Sequence, residues 1–187
     1  MPPIGIGLVG LGVAARASAP AFARHPGLRI AAVAEPDAPT RARFAADHGI
    51  PGFADLDTLL RQPAVEAVYI ATPTPLHAAQ TLQALAAGRH VIVEKPMAAT
   101  LAEAEAMAQG AAAARRVLLV GHSHSFDLPI RRMRALIAAG GLGRLRMVNT
   151  WNFTDWVYRP RRPDELDPAR GGSVLFRQGA HQVDVID

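Results

Sequence analysis

The chain of 187 residues predicts an α/β fold built on a Rossmann-type, doubly wound parallel sheet. Three observations point there. Short β-branched runs alternate with alanine-rich helical stretches, as in a parallel sheet covered by helices. The first run, Ile4 to Val9, is apolar on both faces, as a central strand is. A glycine-rich turn, "GLVGLGVAA", follows it and opens a helix.

The elements follow in order. After the strand Ile4 to Val9, the stretch Val13 to Arg24 is helical, with Pro20 expected to kink or restart it. Leu28 to Ala34 is a second strand, and a helix from about Asp37 to His48 stops at Gly49, a suitable residue to end it. Past a short "GFADLDTLL" segment, Val65 to Ala71 is a strand and Pro75 to Ala87 a helix closed by Gly88. His90 to Glu94 is a strand that runs straight into Lys95-Pro96. Thr100 and Glu103 form a capping box for the next helix, and Val117 to Gly121 is the last strand of the unit.

The pattern then changes. A helix from about Asp127 to Ala139 ends in "GGLG", residues 144 to 153 alternate as a half-exposed strand does, and a loop rich in Arg, Pro and Asp follows. Residues 1–122 therefore read as a dinucleotide-binding domain and 123–187 as the first part of a second, α+β domain. One strand and one helix do not make a stable second layer, so the chain is expected to be truncated inside that domain.

Composition narrows the function. A formal net charge of +4 with scattered arginines, despite a pI near 10.6, argues against a nucleic-acid binder. With no cysteine there is no disulfide framework, thiolate metal site or cysteine nucleophile, and no metal site is expected. No apolar run approaches the ~20 residues of a membrane span, and "MPPIGIGLVG" lacks the basic start of a signal peptide. A soluble cytoplasmic protein that binds a small molecule is expected.

The glycine turn has a physical reading. Gly10 permits a tight turn, Gly12 lets backbone N–H groups approach a pyrophosphate, and Ala15 lets the helix pack on the sheet. Val13 and Ala14 begin the helix whose N-terminal dipole favours an anion, so Gly10, Gly12, Val13, Ala14 and Ala15 form the candidate phosphate cradle. Glu35 ends the second strand 25 positions after Gly10, where a carboxylate accepts hydrogen bonds from ribose hydroxyls and repels a 2′-phosphate. That favours NAD, with NADP as the alternative. Asp37 is the rival acid but suits helix N-capping better.

The second half of the sheet carries the other candidates. "ATPTPLHAAQ" leaves a strand end for a helix, placing Thr72, Pro73, Thr74 and His77 where they could line a cofactor. An ordinary loop with capping threonines and a surface histidine would look the same. Lys95 is the chain's single lysine against 19 arginines. A solvated lysine would have drifted to arginine under such a bias. Arginine stays protonated in a protein, whereas a lysine can be tuned for proton transfer. Lys95 is therefore a catalytic candidate, with Glu94 beside it in the cofactor-binding set.

"GLVGLGVAA", "ATPTPLH" and "AGRHVIVEKP", in this order and spacing, resemble the glucose-fructose oxidoreductase / inositol dehydrogenase / rhizopine-catabolism family of NAD(P)-dependent oxidoreductases. The resemblance implies a Rossmann domain followed by a mostly antiparallel sheet domain that carries substrate and oligomer contacts. It implies Lys95 on the reacting hydroxyl and Glu35 on the adenosine ribose. In "GGSVLFRQGAHQVDVID" it implies His181 as the catalytic histidine and Asp184 as the final acid, while Arg177 stands where most members carry an aspartate. A buried helix histidine is the plain alternative for His181.

"WNFTDWVYRPRRPDELDP" with "LFRQGAHQVD" is similar to a narrower branch, dehydrogenases of phthalate cis-dihydrodiols. A dicarboxylate suits the fixed, always-charged forks of Arg177 and one of Arg159, Arg161 or Arg162. Trp151 and Trp156 would pack on the ring or in the core. A sugar or cyclitol dehydrogenase is the alternative, and a non-catalytic dinucleotide sensor the alternative of another class. A complete second domain would be expected to form a homo-oligomer.

Overall fold

The structure, a computed structural model, describes residues 2–153, 158, 160–161, 163–168 and 172–186. The chain divides into two compact units, Met1–Gly121 and His122–Asp187.

In the first unit six strands, β1 (Ile4–Val9), β2 (Leu28–Ala34), β3 (Gly52–Phe53), β4 (Ala67–Ile70), β5 (His90–Val93) and β6 (Leu118–Val120), form one sheet ordered β3-β2-β1-β4-β5-β6. Every neighbouring pair is parallel. Because every pair is parallel, each connection carries the chain back to the same end of the strands, so all the loops after strands open on one side. The order reverses between β1 and β4, and that switch point is where open α/β sheets bind ligands.

Side chains alternate across the sheet with a period of two, which separates two cores. On one face Val68, Ile70, Val91 and Val93 pack with Leu59, Leu85 and Met107, which lie on α3 (Leu56–Leu60), α4 (His77–Ala86) and α5 (Leu101–Ala114). On the other, Ile6, Leu8 and Tyr69 pack with Ala15 and Ala19 of α1 (Val13–Arg24) and Phe44 of α2 (Ala38–His48). Each fully buried Leu, Ile or Met stabilises the unit by about 1.5–3 kcal/mol.

Local signals set the helix ends. The Asp37 carboxylate accepts the Thr40 N–H at 2.8 Å, the expected N-cap, and α2 stops at Gly49 in the left-handed region with φ 62°. The Glu103 N–H donates to Thr100 Oγ1 at 3.2 Å while Thr100 N–H donates to Glu103 Oε2 at 3.1 Å, a closed capping box.

Two expectations need correction and one gap is filled. Helix α1 does not restart at Pro20 but continues as one helix from Val13 to Arg24, with Ala15 and Ala19 before the proline and Phe22 after it packed on the same core face. The segment read as "GFADLDTLL" contains β3 and α3, the latter N-capped by Asp55 accepting from Thr58 N–H at 2.7 Å. Residues 144–153 form no strand among the described residues. An alternating stretch becomes a strand only when a ladder partner takes its N–H and C=O groups, and none is described beside it.

The second unit holds α6 (Leu128–Ala138), the short α7 (Pro163–Leu166), a π-helical turn over Leu175–Gly179 and α8 (Ala180–Ile186). No described helix is long and apolar enough to cross a membrane.

Candidate functional site

The glycine turn lies at the carboxyl end of β1. Gly10 has φ +80°, a conformation that disfavours any side chain, and its N–H donates to the Ala34 carbonyl at 2.9 Å. A Cβ on Gly10 would lie 2.9 Å from Thr72 Cγ2, so the turn also presses against the loop after β4. Gly12 is the N-cap of α1, supplies no side-chain cap, and is followed by no acidic residue in the first turn. A Cβ there would find nothing nearer than the Ala71 oxygen at 3.9 Å. The result is a helix N-terminus open to an outside anion, with bare backbone in front of it. Ala15 is fully buried against the sheet, and Val13 is exposed at the helix start with Ala14 half-buried beside it.

Glu35 sits at the end of β2 and reaches back to this turn. Its Oε2 accepts the Leu11 N–H at 2.8 Å and its Oε1 accepts the Asp37 N–H at 3.0 Å. Arg41 donates to the Glu35 carbonyl at 2.5 Å, which pins the strand end to α2. An ionised carboxylate has roughly four acceptor positions, so two bonds orient Glu35 and leave acceptor capacity for ribose hydroxyls. Asp37 is held below the usual carboxylate range by its hydrogen bonds from Thr40, as an engaged N-cap is.

The loop after β4 is tied down from within. Thr72 Oγ1 bonds Gln80 Oε1 at 2.6 Å, Pro73 is exposed and Thr74 is buried. His77 is only 1% exposed. Its Nε2 lies 2.8 Å from the Thr72 carbonyl oxygen and its Nδ1 2.9 Å from that of Pro96. The ring therefore joins the loop after β4 to the turn after β5, and its polar atoms face backbone rather than the crevice. Of the two readings the sequence leaves open for His77, its burial corrects the surface histidine.

The third part follows β5. Glu94 leaves the strand, its N–H donating to the Ile70 carbonyl at 2.9 Å. Its Oε1 accepts the Tyr69 hydroxyl at 2.5 Å and its Oε2 accepts the Lys95 N–H at 3.2 Å. Lys95 is half-buried, and the Lys95–Pro96 peptide is cis. Tyr69 escaped the sequence reading, since nothing in "AVYIATP" links it to a glutamate 25 positions on.

The second unit gathers its own candidates. His181 is 6% exposed, and its ring stacks on that of His124 with centroids 3.9 Å apart. Asp184, one turn on, accepts the Ser125 N–H at 3.1 Å, stands 3.9 Å from His122 Nδ1, and its carbonyl accepts from Arg134 at 3.0 Å. Asp184 thus moors α8 to the "GHSHSFD" turn. His122 and His124 were missed, although an H-x-H directly after a strand's carboxyl end is a readable signal. Arg177 lies on the π-helical turn, a feature frequent at functional sites, and pairs with Glu165 at 3.2 Å. Trp151 is 79% exposed, and Arg161 is half-buried. Arg159, Arg162 and Trp156 lie outside the described residues.

An all-parallel sheet in this order, with an open helix N-terminus after β1 and an acid at the end of β2, defines a dinucleotide-binding Rossmann domain. Residues 4–122 match the family described as "Oxidoreductase family, NAD-binding Rossmann fold", and residues 130–187 match the "GFO/IDH/MocA C-terminal domain". The chain belongs to the GFO/IDH/MocA oxidoreductase family. It is 45% identical over 187 residues to the 1-carboxy-3-chloro-3,4-dihydroxycyclohexa-1,5-diene dehydrogenase of Comamonas testosteroni, covering 97% of this chain and 46% of that protein. A crystal structure from Bordetella bronchiseptica RB50 aligns with TM-score 0.93 and 41% identity over 98% of this chain and 49% of its own. The WlbA dehydrogenase of Bordetella pertussis, solved with NADH and UDP-GlcNAcA, aligns with TM-score 0.89 and 27% identity over 100% of this chain and 55% of its own. The chain spans about half the length of the curated relatives it matches.

Proposed function

We propose that this chain forms the cofactor-binding part, and the start of the substrate part, of an NAD(P)-dependent dehydrogenase of carboxylated cyclohexadiene diols. The observation that carries the reading is Lys95. The one lysine in the chain stands where β5 gives way to a turn, on the strand-end side of the sheet that also holds the glycine turn. The likeness to a dehydrogenase of a carboxylated dihydroxycyclohexadiene supports the substrate class.

Each residue then has a task. The backbone from Gly10 to Ala15 holds the pyrophosphate, and Glu35 takes the adenosine ribose, its charge favouring NAD over NADP. The bound cofactor supplies a hydride acceptor at nicotinamide C4. Lys95 takes the proton of a ring hydroxyl, directly or by relay, as the adjacent C–H is oxidised. His181 orients or shares that proton. Arg177 offers a fork to a substrate carboxylate, which competes with Glu165 for it. Oxidation yields a hydroxydienone that tautomerises to an aromatic catechol, which makes the direction downhill.

The test is a panel of a carboxylated cyclohexadiene diol, a neutral diol and scyllo-inositol, each with NAD, followed by reduced-cofactor absorbance. Turnover of the carboxylated diol is expected, with Arg177→Ala raising its KM far more than that of the neutral diol. Cofactor binding without turnover of any compound sinks the dehydrogenase reading. Turnover of scyllo-inositol alone would move the substrate to the cyclitols. Equal KM effects on both diols would remove Arg177 from carboxylate recognition.

A further inference from the structure

Tyr69 is almost wholly buried in the middle of β4, yet its hydroxyl ends in a polar chain that the proposed chemistry does not use. That hydroxyl donates to Glu94 Oε1 at 2.5 Å. Its single hydrogen being spent there, the Ser18 hydroxyl, 3.2 Å away on α1, is the donor to the phenol oxygen. The ring is held edge-on by Phe22, with centroids 5.2 Å apart and planes at 70°. Burial, and then the hydrogen bond to Glu94, push the phenol up from its ordinary value, so it remains a neutral donor throughout the working pH range.

The Glu94 carboxylate is thus gripped from two sides. One oxygen is tied to a rigid ring in the core, and the other receives the Lys95 backbone N–H at 3.2 Å. Gly121 allows the arrangement, because a Cβ there would lie 3.2 Å from Glu94 Oε1. A Rossmann sheet binds one mononucleotide on each half. Glu35 on β2 belongs to the adenosine half, which leaves the β4–β6 half, with Glu94, to the nicotinamide riboside.

We infer that Tyr69 is a positioning residue for the nicotinamide half of the cofactor: through its hydroxyl it fixes the Glu94 carboxylate, and with it the start of the Lys95 turn. This rests on the dinucleotide-binding reading above. Tyr69→Phe removes one oxygen atom and keeps the ring contact with Phe22, which isolates the bond from the packing.

The experiment compares NADH with ADP, which carries the adenosine half but no nicotinamide riboside, by titration against the full chain. Failure of the parent to bind NADH overturns the dinucleotide-binding reading and, with it, this inference. Given parent binding, Tyr69→Phe should weaken NADH by about five-fold, the order expected for one misdirected charged hydrogen bond, and leave ADP within about two-fold. In a Glu94→Ala background the Tyr69→Phe change should have no further effect, since the two act as one unit. The inference is overturned if NADH is unaffected, if NADH and ADP weaken together, or if the effect persists without Glu94. Should Tyr69→Phe fail to fold, Glu94→Ala tests the bond from its other end. It must shift NADH and spare ADP, and a loss of both overturns the inference.

Discussion

Replacing Gly10 or Gly12 by alanine adds the same single methyl group two residues apart, and the structure assigns the two changes opposite consequences. At Gly10 the φ of +80° costs any L-residue about 1–2 kcal/mol, and the new Cβ would stand 2.9 Å from Thr72 Cγ2 and 3.2 Å from the Ala71 oxygen. Moving those neighbours adds a further overpacking cost of about 1 kcal/mol or more. Gly10→Ala should therefore destabilise the first unit by about 2–4 kcal/mol. At Gly12 the φ of −67° is ordinary and the nearest atom lies 3.9 Å away. Alanine there gains about 0.4–1 kcal/mol by restricting the unfolded chain and loses a similar amount as a poorer N-cap, so stability stays within about 1 kcal/mol of the parent.

Binding should respond the other way. The space in front of Gly12 is free of close protein atoms, and on the proposed function it is the path by which a pyrophosphate reaches the N–H groups of α1. A methyl group there holds the anion back and weakens at least one charge-assisted hydrogen bond, worth about 2 kcal/mol, or roughly 30-fold in Kd. Denaturant unfolding and NADH fluorescence titration on the same preparations separate the two effects. A Gly12→Ala chain that keeps the parent's fold but binds NADH about 30-fold more weakly fits the reasoning. One that binds NADH within about three-fold of the parent refutes the placement of the pyrophosphate at this turn.

The remaining predictions concern the frame around the site. His77→Leu retains bulk but removes the donor between the Thr72 and Pro96 carbonyls. It should cost about 2–4 kcal/mol in denaturant unfolding, and a midpoint equal to the parent's would show that the ring is not the bridge between the two loops. Hydrogen bonds from Thr40 and Thr58 hold Asp37 and Asp55 below their ordinary value of 3.8. A depressed folded-state value means that their stabilisation is present above about pH 4 and is lost as the pH falls through the folded values. The Asp37→Asn/Asp55→Asn chain should therefore lose less stability than the parent between about pH 5 and pH 2.5. An identical decline in both would remove these caps from the acid response.

What was legible in the sequence was local. The glycine turn, the Asp37 cap, the Gly49 stop and the Thr100–Glu103 box each depend on residues within a few positions, so composition and spacing expose them. A strand of two residues and a helix of five, β3 and α3, are shorter than the period needed to reveal them. Residues 144–153 alternate like a strand, yet alternation only describes a surface, and the ladder depends on a partner elsewhere. The polar contacts that hold the site are non-local: Leu11 to Glu35, His77 to Pro96, Tyr69 to Glu94. Each joins different elements of the sheet and its helices, and none has a spacing rule. The residues of the edge could be named from the sequence, but the bonds that stiffen it depend on the β1–β4 and β4–β5 registers.

Those registers also bear on why one lysine persists among so many arginines. Ile70 pairs with Val93, so the turn carrying Lys95 emerges beside the loop carrying Thr72, and His77 joins the two from beneath. The neighbouring carboxylate is fixed by Tyr69 from the opposite face of the sheet. Lys95 therefore leaves a backbone restrained on both faces. On the proposed function, an arginine at the same position would keep the charge but could not take the proton of a substrate hydroxyl. A restrained backbone has most value where the residue it carries must bring a labile proton to within hydrogen-bond reach of a reacting hydroxyl. On the proposed function, solubility or surface charge needs no such frame, and arginine serves at the other 19 Lys/Arg positions.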